Sequence, residues 1–180
     1  MVARPAQLIT KTFHSVYAVT TVVLLTTQAV FAQAGVDKEH AALAQEVSTA
    51  TVTLQVGLSA SSKYGKPISA KFEIGFEELE LSVYVTDKGT LSEVLVERET
   101  GKMSIPAPIT DTEDLAAAKA QSAVMAKAKR SLSEAVGHAL AAHMGFRALS
   151  VVPALKDGRP VAEVALVKGA EWKTVIEMLD

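Results

Sequence analysis

Residues 131–145 read SLSEAVGHALAAHMG, and this stretch decides how the rest of the chain is read. Leu132, Ala135, Val136, Ala139 and Leu140 fall at i, i+3, i+4, i+7 and i+8, the apolar stripe of an α-helix. Ser131 followed three residues later by Glu134 is a capping-box pattern. The serine hydroxyl accepts a hydrogen bond from a free N–H of the first turn while the glutamate reaches back to the cap. Gly145 then reads as the helix stop.

The segment 51–65, TVTLQVGLSASSKYG, is less plain. Val52, Leu54, Val56 and Leu58 alternate, which by itself suggests a strand. However, Gly57, Gly65 and Gly89 recur as Gly137, Gly145 and Gly169, always 80 residues on. Val56-Gly57 matches Val136-Gly137, Lys88-Gly89 matches Lys168-Gly169, and Leu95-Val96-Glu97 resembles Val175-Ile176-Glu177. An internal repeat defines one structural unit, so Thr51–Tyr64 is expected to be helical like its counterpart.

Strands follow each helix. Ile68, Ala70, Phe72, Ile74 and Phe76 alternate with polar or small residues, as do Leu79, Leu81, Val83 and Val85. Both patterns predict half-buried strands. Glu77-Glu78 is the expected hairpin connection, Asp87-Lys88-Gly89 a turn, and Leu91–Arg98 a third strand closed by Thr100-Gly101. The second unit repeats this order: Ala148–Leu155, a turn at Lys156-Asp157-Gly158, Val161–Val167, a turn at Lys168-Gly169, and Glu171–Leu179. Between the units, Pro106 and Pro108 mark a linker. Thr110 and Glu113 form a second capping-box pattern that opens an Ala-rich helix over 112–130. The expected fold is α+β: two tandem helix plus three-stranded antiparallel sheet units, with an additional Ala-rich connecting helix. The expected divisions are a leader at 1–32, a first unit with a helical lead-in at 33–104, a linker and connecting helix at 105–130, and a second unit at 131–180. Whether the two sheets join edges or their helices stack is left open, as is the oligomeric state.

Residues 1–32 have the layout of an export signal. Arg4 and Lys11 supply a positive start, Val16–Leu25 an apolar stretch, and Ala29-Val30-Phe31-Ala32 the small residues of a cleavage site before Gln33. Ala34 offers a second cleavage point. The threonines at 20, 21, 26 and 27 dilute the run, which disfavours an uncleaved membrane span. No membrane association is expected after cleavage. The full chain has 180 residues and a net charge of −2; loss of Arg4 and Lys11 with the leader gives −4. That balance gives no electrostatic reason to expect nucleic acid. The chain has no cysteine, so disulfides and thiolate chemistry are excluded. It also has no asparagine, so no N-glycosylation sequon exists.

An export signal followed by helix, glycine and three strands that end in Val94-Leu-Val-Glu-Arg-Glu-Thr-Gly-Lys102 resembles the PepSY family. The resemblance is carried by an aliphatic–acid stretch closing on Thr100, Gly101 and Lys102, with Met103 as the apolar residue after them. The segment Ser131–Asp180 looks like a second copy without that closing turn. The resemblance implies an extracytoplasmic, non-catalytic α+β domain of a kind found in propeptides of thermolysin-type metalloproteases, in membrane-bound regulators and in small secreted proteins. It implies a partner among envelope proteins, a peptidase above all, and brings no catalytic, cofactor or metal residue to this chain.

The residues alone lead the same way. His138 and His143 stand about 140° apart on a helix, the wrong spacing for a two-histidine metal site. Ser59 lies in Gly57-Leu-Ser-Ala-Ser61, which lacks the second glycine of a nucleophile elbow. Glu77-Glu78-Glu80 and Asp111-Glu113-Asp114 lack the ligand count of a calcium loop. No cofactor is expected. Trp172 has two readings: an anchor on the helix-covered face of the last strand, or an interface residue, since tryptophan dominates binding hot spots. The expected function is a periplasmic or secreted binding protein that regulates or inhibits a peptidase or another envelope protein. The alternative is an envelope module that binds a small ligand or ion, with an enzyme as a remote third reading.

Overall fold

The alternating segments become strands because each presents one apolar row inward and one polar row outward. A computed structural model describes residues 30–75 and 78–180. The chain runs α1 (Val30–Thr49), α2 (Leu54–Ser61) with a short 3₁₀ turn to Tyr64, β1 (Lys66–Gly75), β2 (Glu78–Asp87), β3 (Thr90–Glu97) and β4 (Ala107–Pro108). It continues with α3 (Thr112–Met125), α4 (Leu132–Ala142), β5 (Arg147–Lys156), β6 (Arg159–Lys168) and β7 (Glu171–Met178). The α+β class is therefore as expected. Ala32 and Gln33, the expected cleavage point, lie within α1, whereas residues 1–29 and the expected connection residue Glu77, with Phe76, lie outside the described residues.

All seven strands form one sheet in the order β4-β3-β2-β1-β5-β6-β7, antiparallel throughout. The two three-stranded meanders meet at β1 and β5, where Ala70 pairs with Val151 and Lys71 with Ser150. Register carries a single apolar row across six strands: Val94, Val83, Ala70, Val151, Val164 and Val175. The first five are almost completely buried and Val175 is half-buried at the end of the row.

The helices cover both faces. Gly57 of α2 lies over Leu81 and Val83, and His138 of α4 approaches Glu177 of β7, so both helices sit on the face of the valine row. They touch through Gln55, whose Nε2 donates to the Ser133 carbonyl at 3.4 Å. The opposite face carries α3, held by a 2.7 Å hydrogen bond from Ser69 Oγ to Gln121 Oε1. α1 runs along one end of the strands: Glu46 pairs with Arg98 just past β3, Ala50 accepts from Arg147 at the start of β5, and His40 stacks near Trp172 at the start of β7.

Three details depart from the sequence reading. α3 stops at Met125, short of the expected Arg130. The N–H groups of Lys129 and Arg130 instead donate to the Leu179 carbonyl at 2.7 and 3.0 Å. Leu179 itself donates to Pro160, and because proline has no N–H to return, the connector supplies the missing donors. Second, the glycine echo does not mark equivalent places. Helix caps Thr53 and Ser131 are 78 residues apart, while corresponding strands begin 81 apart. Gly89 is the second residue of its hairpin turn, after Lys88 with φ 48°. Gly169 is the first residue of its turn, with φ 58°. The first turn has two positive φ values and the second only one, two different solutions to the same hairpin. Third, the 103–111 segment is not a free linker, as the edges of the sheet show.

Candidate interaction surface

The two edges of the sheet are built differently. After β3, Thr100-Gly101-Lys102 reverses the chain: Gly101 takes φ 71°, its N–H donates to the Glu97 carbonyl at 2.9 Å, and Thr100 Oγ1 donates to Glu97 Oε2 at 2.5 Å. Residues 102–109 then run back along the whole outer edge of β3. Lys102 accepts from Glu97, Met103 bridges Val96, Ser104 donates to Leu95, Ala107 and Pro108 pair with Glu93 and Ser92, and Ile109 donates to Leu91. The Thr100–Lys102 turn thus folds a cover onto an edge strand, one of the known defences of such edges.

At the other end, β7 pairs with β6 over eight residues, and among the described residues no strand pairs with its outer side. The direction of its backbone groups follows from the register. Gly169 and Ala170 form a two-residue hairpin loop flanked by Lys168 and Glu171, a pair that exchanges hydrogen bonds in this geometry. Glu171, Lys173, Val175 and Glu177 therefore bond inward to β6, and the Leu179-to-Pro160 bond keeps the same phase. Trp172, Thr174, Ile176 and Met178 direct their N–H and C=O groups outward.

Side chains sort the same way. Lys173, Val175 and Glu177 share the α4 face. Lys173 Nζ lies 5.0 Å from the Phe146 ring centre and 3.8 Å from Glu171, and Glu177 lies 4.0 Å from His138. Trp172, Thr174, Ile176 and Met178 share the opposite face. Trp172 is half-buried and joins the core margin, with its ring 4.9 Å from His40 at a tilt of 32°. It is thus held by α1, on the face away from α4. Ile176 beside it is 40% exposed.

An open hollow of about 370 Å³, lined by Glu78, Glu80, Glu97, Arg98 and Glu99, lies where β2 begins and β3 ends and presents mostly carboxylates to solvent. Two other clefts are smaller. One between α3 and the sheet, about 30 Å³, is lined by Ser69, Lys71, Tyr84, Asp114 and Gln121. Burial, and then the Asp111 carboxylate, push Asp114 above the usual carboxylate range. A second, about 260 Å³, lies where Ser59, Ser62, Lys66 and Met125 meet the start of α4; Lys66 Nζ donates there to the Met125 carbonyl at 2.5 Å. Both fall below the usual size of a small-molecule site, roughly 300 Å³ and upward.

The residues weighed for chemistry are dispersed. His143 caps the end of α4 and sits edge-on to Phe146 at 6.1 Å. Ser59 is an exposed residue of α2 whose carbonyl accepts from Ser62. Asp111 is the N-cap of α3, accepting from the N–H groups of Glu113 and Asp114 at 2.9 and 3.0 Å. Among the described residues no cluster of three His, Asp or Glu side chains could hold a metal, and no helix is long and apolar enough to cross a membrane. Nothing local in Glu171–Met178 marks β7 as an edge strand, because strand order is set by long-range pairing.

No protein-family model matches this chain, and no curated protein does. Among solved structures, a "putative lipoprotein" from Clostridium difficile 630 is similar over 73% of this chain and 88% of its own, with 12% identity and a TM-score of 0.41.

Proposed function

We propose that this chain is an exported, PepSY-like binding protein that acts without catalysis and engages an envelope protein, in the first instance a peptidase. The observation that carries the reading is the β7 edge: eight residues with four outward-facing backbone positions and an aromatic side chain at one end. Strand addition at such an edge gives affinity through main-chain hydrogen bonds and specificity through alternate side chains. An extended loop of a peptidase docked there is held away from its own substrates. The leader-like layout of residues 1–32 supports export.

The test is to incubate the purified chain with envelope peptidases and measure residual activity, with affinity capture in parallel. Inhibition or retention of a peptidase, lost when Thr174 is replaced by proline, supports the reading. Thr174→Pro removes only an outward N–H, so the β6 pairing survives. Neither inhibition nor capture across the panel sinks it.

A further inference from the structure

We infer that a second copy of this chain occupies the β7 edge, forming an antiparallel two-fold dimer centred on Val175. The inference rests on the reading of β7 as a binding edge and names the partner that edge fits.

The argument is one of register. In a two-fold antiparallel pair, residues whose numbers sum to a constant stand opposite one another on the same face. Centring on Val175 places Lys173 opposite Glu177 of the second copy, and Glu177 opposite its Lys173. Both carry their side chains on the α4 face, so one symmetry axis creates two ion pairs. Trp172 meets Met178, and Thr174 meets Ile176. These four are the residues whose N–H and C=O groups already point outward, so the ladder forms without altering the β6 pairing. Neighbouring registers fail on charge. Centring on Thr174 sets Glu171 against Glu177, centring on Lys173 sets lysine against lysine, and centring on Glu177 sets glutamate against glutamate. Like charges directly opposite destabilise a strand pair. Centring on Ile176 leaves Lys173 and Glu177 facing apolar residues. The valine register alone satisfies both charges, and it also continues the row Val94-Val83-Ala70-Val151-Val164-Val175 into the second molecule.

The chain has no cysteine, so one introduced thiol is an unambiguous reporter. Val175 would face its symmetry mate in a non-hydrogen-bonded pair with Cα atoms about 4.5 Å apart, within disulfide range. The full chain carrying Val175→Cys should oxidise to a covalent dimer, and wild type should show reversible dimerisation by sedimentation across the micromolar range. Lys173→Glu and Glu177→Lys should each weaken the dimer roughly tenfold, and the double variant should recover most of that loss. A wild-type chain that stays monomeric overturns the inference. So does a dimer indifferent to both charge reversals that fails to cross-link through position 175. If the chain is monomeric yet still retains a peptidase through β7, the second-copy inference fails alone. If it dimerises but retains no peptidase, the peptidase reading fails alone.

Discussion

Gly57 lies directly on Leu81: a Cβ placed on Gly57 would stand 2.4 Å from Leu81 Cδ2. This contact sets how closely α2 approaches β2, and Leu81 is completely buried with little room to move. Gly57→Ala should therefore destabilise the fold. Overpacking costs about 1–3 kcal/mol, against roughly 1 kcal/mol of gained helix propensity. At Gly137 the nearest atom to such a Cβ is the Gln55 amide at 3.2 Å, the end of a flexible side chain. Gly137→Ala should be neutral or stabilising by up to about 1 kcal/mol. Denaturant melts of the two variants check this, and equal losses would show that the glycines play equivalent parts after all.

Gly101 supplies the positive φ that starts the cover over β3. A Cβ there would meet only Val52 Cγ2 at 3.6 Å, so Gly101→Ala is penalised by backbone conformation and not by a clash. The expected loss is about 1–2 kcal/mol. Amide exchange should accelerate first at Ser104 and Ile109, whose N–H groups bond to β3, while the β1 and β2 amides stay protected.

Two first-turn acids should respond to pH in opposite directions. Glu134 is held below the ordinary carboxylate range by the Ser131 backbone N–H and hydroxyl. Its contribution is present above the unfolded pKa and fades as pH falls through the lowered folded value. Asp114 is raised, chiefly by burial, so its ionisation opposes folding as pH rises through the raised value. Glu134→Gln should be less stable than wild type at neutral pH, and Asp114→Asn more stable. Both differences should shrink at about pH 3, where carboxylates protonate. Melts at the two pH values decide it; shifts of the same sign would contradict the assignment.

Ser131→Ala removes the hydroxyl that accepts from the Glu134 N–H at 3.2 Å. The cap should cost about 1 kcal/mol, read as a lowered denaturation midpoint with unchanged slope.

Trp172 is the sole tryptophan, so tryptophan emission, excited selectively over the tyrosines, reports on β7 alone. Partner addition at the edge should shift its emission. Trp172→Ala should cost less than the roughly 3–5 kcal/mol of a fully buried tryptophan, because the ring is half-exposed.

The strands were legible because their alternation and turn residues are local signals. β5, β6 and β7 fall within about two residues of the expected spans, and the Ser131 box caps α4 as its pattern implied. What could not be read was long-range. Nothing in the alternation of Ile68–Ile74 says that Ala70 will meet Val151. Lys129 and Arg130 look helical by composition but serve the carbonyl of Leu179. Residues 103–111 look like a linker because prolines punctuate them, yet Pro108 sits on an edge where a missing N–H does no harm. Trp172 lay open between two readings; its contact with His40 depends on where α1 runs.

The seam between β1 and β5 has a consequence for how the chain reaches its native state. Every other full-length strand pair joins sequence neighbours, whereas Ala70 and Val151 must find each other across 81 residues. Loop closure over that span comes before any reward from pairing. The two meanders should therefore acquire order first and zip together last. The clamp from Lys129 and Arg130 onto Leu179 likewise spans some fifty residues of chain and forms late. Pulse-labelled amide exchange during refolding should find the hairpin amides protected before those of Ala70 and Lys71.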